Sequence, residues 1–159
     1  LLVMGVDPGT AITGYGLVHF LGNRFELRVC SCIRTTPEQP LASRLRVLYG
    51  ELCRLIDVEK PACLAVEELF FNKNVRTALA VGHARGVVML AGANAGLPVF
   101  EYTPLQVKQA VTGYGRADKK QVQFMVKSIL GMASAPSPDD VADALAVAIC
   151  HAHMSGARD

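Results

Sequence analysis

The chain opens on a short unbroken apolar run, Leu1 to Val6, that stops at Asp7-Pro8-Gly9. Such a run, without polar alternation, reads as a β-strand buried on both faces and closed by a turn. The pattern returns at Ala62 to Val66, introduced by Pro61 and ended by Glu67. Strands buried on both faces need helices above and below them, which points to an α/β fold. If the two strands are parallel neighbours, their ends lie ~4.8 Å apart. Open α/β sheets carry their chemistry at the carboxyl ends of strands. Two carboxylates that close repel each other, and their pKa values rise unless a cation sits between them. Asp7 and Glu67 are therefore expected to face a divalent metal.

The rest of the chain fills in such a domain. Residues 14–20 and 25–30 read as strands joined at Gly22-Asn23, a hairpin that continues the first strand as an antiparallel meander. Leu41, Leu45, Leu48, Leu52 and Ile56 fall at helical spacing. A second helical stretch, 75–95, is dense in Ala and Gly. Residues 97–100 suggest a fifth strand, and helices are expected over 104–111, 119–130 and 138–154. The order β-β-β-α-β-α-β-α-α-α predicts one five-stranded mixed sheet, with three antiparallel strands, then parallel ones, and helices on both faces. At 159 residues the chain is expected to be a single domain, 1–159. Hydrophobic residues at 51% argue against disorder. Charged residues interrupt every long apolar stretch, so no membrane span is expected. No signal peptide is visible, and five cysteines without metal-ligand spacing read as reduced thiols of a cytoplasmic protein.

Charge is unevenly placed. Between Asn72 and Lys127 the basic residues are Lys73, Arg76, Arg85, Lys108, Arg116, Lys119, Lys120 and Lys127, against Glu101 and Asp118, a net of +6 in a chain of net +2. A basic segment in a near-neutral chain fits a polyanion partner. A second acidic group lies in Ser137-Pro-Asp-Asp-Val-Ala-Asp143. Ser137 reads as an N-cap, Pro138 as N1, and the first acids as dipole partners. Asp143 is different: it stands in the second turn among Ala142, Ala144 and Leu145, where an acid needs a partner. Asp140 is ~60° and Asp139 ~40° from Asp143 around a helix, so spacing lets either share its face. Carboxylates of this kind suit Mg²⁺ or Mn²⁺. Two such ions ~3.5–4 Å apart clamp a phosphodiester during in-line displacement. With the basic segment, the reading is a metal-dependent nuclease.

Five motifs, in order along nearly the whole chain, resemble the RuvC family of bacterial Holliday-junction resolvases: Gly5-Val-Asp-Pro-Gly-Thr10 with Thr13-Gly-Tyr-Gly16, Ala65-Val-Glu-Glu-Leu-Phe70, Gln106-Val-Lys-Gln109, Asp118-Lys-Lys-Gln-Val-Gln123 and Asp140-Val-Ala-Asp-Ala-Leu-Ala146. The resemblance implies a ribonuclease H-like fold and a homodimer. It also implies paired symmetric nicks across a four-way junction in recombination and repair, and work beside the RuvA–RuvB branch-migration complex. It implies Asp7, Glu67, Asp140 and Asp143 as ligands of two Mg²⁺ ions, with Mn²⁺ able to substitute. It further implies Lys108 and Lys119 as active-site lysines, and Phe70 as an aromatic contact to unpaired bases. Lys73 and Arg76 of the basic segment are expected to touch DNA. Glu68 and Asp139 are extra acids beside the matched ones.

A rival reading is an actin-like ATPase or sugar kinase, whose first phosphate loop Asp7-Pro-Gly-Thr10, followed by glycines, also resembles. That fold needs a second domain and a second glycine-rich loop, which this sequence lacks. Two further rivals are a processor of RNA ends and a non-catalytic binder of junctions. A cleavage assay on a four-way junction with Mg²⁺ separates them.

Overall fold

The protein is described from a computed structural model covering residues 1–68 and 74–156. β1 (Leu2–Asp7) lies at the centre of the sheet, flanked by β2 (Ile12–Phe20) on one side and β4 (Cys63–Glu67) on the other. β3 (Phe25–Arg34) and β5 (Val99–Tyr102) form the edges, giving the order β3-β2-β1-β4-β5. β1–β2 and β2–β3 are antiparallel, whereas β4 runs parallel to both β1 and β5. This is the mixed five-stranded sheet expected from the sequence.

Alternation along β1 and β4 sets the two layers. Met4 and Val6, with Leu64 and Val66, face α1 (Leu41–Glu59) and α2 (Val75–Asn94). Val3, Cys63 and Ala65 face α5 (Asp139–Gly156), which is flanked by α3 (Pro104–Thr112) and α4 (Lys119–Ile129). Asp7 and Glu67 continue the second set by the period of two, so both acids end on the α5 side. From Val141 to Ala152, every α5 residue except Asp143 is buried, so α5 is the core helix of that layer. Its close seat on the sheet depends on two glycines. A Cβ at Gly5 would overlap the Ala144 carbonyl, and one at Gly14 would overlap the Asp140 carbonyl.

Three local expectations are corrected. The fifth strand is Val99–Tyr102, two residues later than 97–100. Leu97 is still tied to the end of α2, its N–H donating to the Gly92 carbonyl, and the ladder with β4 starts at Leu64↔Val99. β3 runs on to Arg34 because the early part of β2 pairs with it, Thr13 opposite Ile33. Ser137 is not an N-cap. α5 begins at Asp139, and the Val141 N–H donates to the Pro138 carbonyl, so Asp139 and Asp140 sit one position nearer the helix start than the sequence suggested.

Candidate active site

The pairing Val6↔Val66 carries β1 and β4 side by side to Asp7 and Glu67. The turn after Asp7 is held by Thr13, only 1% exposed. Its hydroxyl donates to the Gly9 carbonyl at 2.6 Å and accepts the Gly9 N–H at 3.1 Å. The first turns of α5 pass directly over this end of the sheet. They bring Asp140 and Asp143 to Asp7: the Asp140 carbonyl lies against Gly14, the β2 partner of Asp7, and the charges of both acids act on the Asp7 carboxyl. Four acids from three elements thus stand around one end of the sheet.

The electrostatics follow from crowding. Burial, then the charges of Asp143, Asp140 and Glu67, push the Asp7 carboxyl up to about 8. Burial and Asp143 push Glu67 up to about 7, against the pull of Lys108. Asp143 is raised by burial and by its acidic neighbours, and Lys119 partly offsets this. Burial works against the Lys119 charge, but Asp143, Asp139 and Asp140 outweigh it and hold its pKa above the usual lysine value. Such a cluster is a set of hard oxygen donors short of positive charge, the chemistry that suits a divalent cation. Among the described residues, no three His, Cys, Asp or Glu side chains already close on one point as a finished metal cage. The acids surround the site without closing on it, and they fit a metal as oxygen donors that an ion would draw in.

Cations line the same hollow. Glu67, Lys108, Lys119 and Asp143 share a cavity of about 330 Å³ between α3, α4 and α5. Lys119 stands at the first position of α4, after Asp118, whose carboxylate caps the helix by accepting the Gln121 N–H at 2.8 Å. Its Nζ lies 3.3 Å from Asp139 Oδ2 and 3.9 Å from Asp143 Oδ2. Asp139 also accepts from Gln123 Nε2 at 3.1 Å, so it faces α4 while Asp140 faces Asp7. Glu68, just past the end of β4, is exposed, and its N–H donates to the Tyr102 carbonyl at 2.7 Å. Arg76 is exposed in the first turn of α2. Phe70 and Lys73 lie outside the described residues.

Thr13, Gly5 and Gly14 are positioning residues that the sequence did not single out. They stand inside the matched motifs, but what they do depends on where α5 crosses the sheet. The cysteines carry no chemistry here. Burial pushes the Cys63 thiol up to about 11, and burial with the Glu67 charge pushes Cys150 up to about 12, so neither is a ready nucleophile.

Comparison with known proteins agrees with the geometry. The family model described as crossover junction endodeoxyribonuclease RuvC matches residues 3–151. The chain is 69% identical over 153 residues to the crossover junction endodeoxyribonuclease RuvC of Pelotomaculum thermopropionicum, covering 96% of this chain and 93% of that one. It is 64% identical over 155 residues to the protein of the same description from Desulforamulus reducens, covering 98% and 95%. It superposes with a TM-score of 0.95 and 38% identity on Thermus thermophilus RuvC in complex with a Holliday junction substrate, covering 99% of this chain and 96% of that chain. With four acids gathered at the strand ends and matches spanning nearly its whole length, the chain belongs to the RuvC family of crossover junction endodeoxyribonucleases, metal-dependent enzymes that resolve four-way DNA junctions.

Proposed function

We propose that Asp7, Glu67, Asp140 and Asp143 form the cutting centre of this endonuclease and hold two Mg²⁺ ions, with Mn²⁺ able to replace them. The observation that carries this reading is the convergence of four carboxyl groups from β1, β4 and α5, two of them raised to about 8 and about 7 by crowding and burial. Bound there, the metal would supply a polarised phosphate and an activated water. The protein's own residues do the rest. β1 and β4 fix Asp7 and Glu67 side by side, and α5 lays Asp140 and Asp143 over them. Lys119, tied to Asp143, and Lys108, beside Glu67, place positive charge where the scissile phosphate would sit. In the same reading Lys73 and Arg76 take the role of contacts to the DNA backbone, and Phe70 that of an aromatic contact to unpaired bases.

The same reading gives the protein one nuclease domain, 1–159, acting as a homodimer that places paired symmetric nicks across the junction. A four-way junction presents equivalent strands, which suits a two-fold enzyme. α2 supports this. Val75, Leu79 and Leu90 are exposed on it at helical spacing, with His83 and Gly86 between them. A Cβ at Gly86 would meet nothing within 4 Å, so the chain's own packing does not require a glycine there. The RuvA–RuvB complex is the proposed partner and the cytoplasm the proposed compartment. No helix among the described residues is long and apolar enough to cross a membrane.

The test is Asp7→Asn on a synthetic four-way junction. It is expected to bind the junction within about twofold of wild type, since phosphate contacts come from the basic surface. Cleavage in Mg²⁺ is expected to fall by at least about a thousandfold. Near wild-type cutting by this variant would remove Asp7 from the centre.

A further inference from the structure

A second hollow adjoins the acid cluster. It measures about 540 Å³ and is lined by Tyr114, Lys120, Phe124 and Met125, with Ala117 and Asp118 forming the wall it shares with the catalytic cavity. Its two aromatic walls are unburied: Tyr114 is 56% and Phe124 63% exposed. α4 buries Val122 and Val126, and Phe124, midway between them, is turned away from the core. Single exposed aromatics are ordinary on protein surfaces; two on one concave surface beside a reaction centre are not.

Tyr114 is also held firmly. Its N–H donates to Thr112 Oγ1 at 3.1 Å, and its carbonyl accepts the Thr112 hydroxyl at 2.9 Å and the Ala117 N–H at 3.1 Å. The turn that carries it enters through Gly113 at φ +76°, a conformation open to glycine. The backbone that carries the ring is thus set before any ligand arrives. The charge of the hollow suits an anionic strand. Lys120 lines it, Arg116 is exposed beside it, and Asp118 is committed to capping α4.

We propose that the groove between Tyr114 and Phe124 seats an unpaired nucleobase of the strand being cut, within two nucleotides of the scissile phosphate. The inference rests on the reading of the acid cluster as the cutting centre. Lys119 and Lys120 are consecutive at the start of α4, one lining the acid-bearing cavity and the other the groove. A strand whose phosphate lies by Lys119 can therefore drop a neighbouring base across the Ala117–Asp118 wall. Flat aromatic side chains accept any base by stacking, and Lys120 meets the adjoining phosphate.

The test uses four-way junctions carrying 2-aminopurine at single positions on either side of the cut site. Binding is read in EDTA and cleavage in Mg²⁺. Wild type should quench the probe at one position within two nucleotides of the cut. Phe124→Leu and Tyr114→Leu should each lose that quench and weaken junction binding about tenfold, the scale of one lost stacked base. Both should melt as wild type does, since neither ring is buried. Phe124→Trp should retain the quench, which an apolar packing role would not require. Unchanged quench in both leucine variants overturns the proposal. So does normal binding and cutting of bare junctions with a defect only when other proteins are added, which would make the groove a protein contact. Failure of the cutting-centre reading shows separately, as cleavage by Asp7→Asn, and leaves the quench measurement intact.

Discussion

Asp139 and Asp140 are neighbours with different surroundings. Asp140 meets Asp7, while Asp139 is held by Gln123 and Lys119 on the α4 side. Asp140→Asn is expected to lower Mg²⁺-dependent cleavage at least about a hundredfold, the loss of a charge proposed to hold the metal. Asp139→Asn is expected to change it less than about fivefold, since it loses one exposed ion pair worth ~0–1 kcal/mol. A Mg²⁺ titration of both variants on one junction checks this. The reverse order of effects would mean that the helix presents another face. What separates the two acids is backbone contact. The Asp140 carbonyl lies against Gly14, which fixes the rotation of α5 over β2.

At the scale of elements, α2 has two faces with different uses. Ala78, Ala84, Val88, Ala91 and Gly92 turn inward, and Gly92 sits close to Val99 and Leu64 of the sheet. Much of the small-residue character of this helix therefore serves packing within the chain. The outward stripe of Val75, Leu79, His83, Gly86 and Leu90 is what remains for a second copy. Leu79→Asp with Leu90→Asp is expected to give a monomer by sedimentation at micromolar concentration. Both side chains are more than half exposed, so the fold should melt within a few degrees of wild type. A double variant that sediments as wild type does would move the interface elsewhere.

Across the whole molecule, the acid cluster opposes folding when no cation is bound. Asp7 moves from 3.8 to about 8 and Glu67 from 4.5 to about 7, so between roughly pH 4 and pH 8 the folded chain holds more protons than the unfolded one. Stability from these groups is therefore present at low pH and lost as pH rises through that window. In EDTA the melting temperature is expected to fall from pH 5 to pH 8, and Mg²⁺ should restore it at the upper end. Asp7→Asn should flatten the fall and melt several degrees higher than wild type at pH 8 without metal, at ~2–4 °C per kcal/mol for a chain of this size. Parallel curves for the two proteins would show that the crowding at Asp7 has no energetic consequence.

Much of this architecture was written locally in the chain. The apolar runs before Asp7 and Glu67 named two central strands, because burial on both faces needs an uninterrupted apolar stretch. The acids that end those two strands pointed to one shared end of the sheet, and period 3.6 located the helices. The ordered motifs pointed to the family without any coordinates. Element ends were less legible: β5 waited on its partner β4, and the start of α5 on how Pro138 meets the helix, neither of which is a local preference. Side-chain contacts between the helices and the sheet were not legible. Gly5 and Gly14 are ordinary glycines until α5 lies across them. Asp139 and Asp140 are equivalent by spacing until Asp7 and Lys119 stand on opposite sides of them. Tyr114 and Phe124 meet only because the turn after α3 folds back beside α4. Sequence by itself determined which residues form strands and helices and which acids end them, since these are periodicities along one chain. Only the tertiary structure decided which side chains face one another, since that depends on how closely two separate elements can approach.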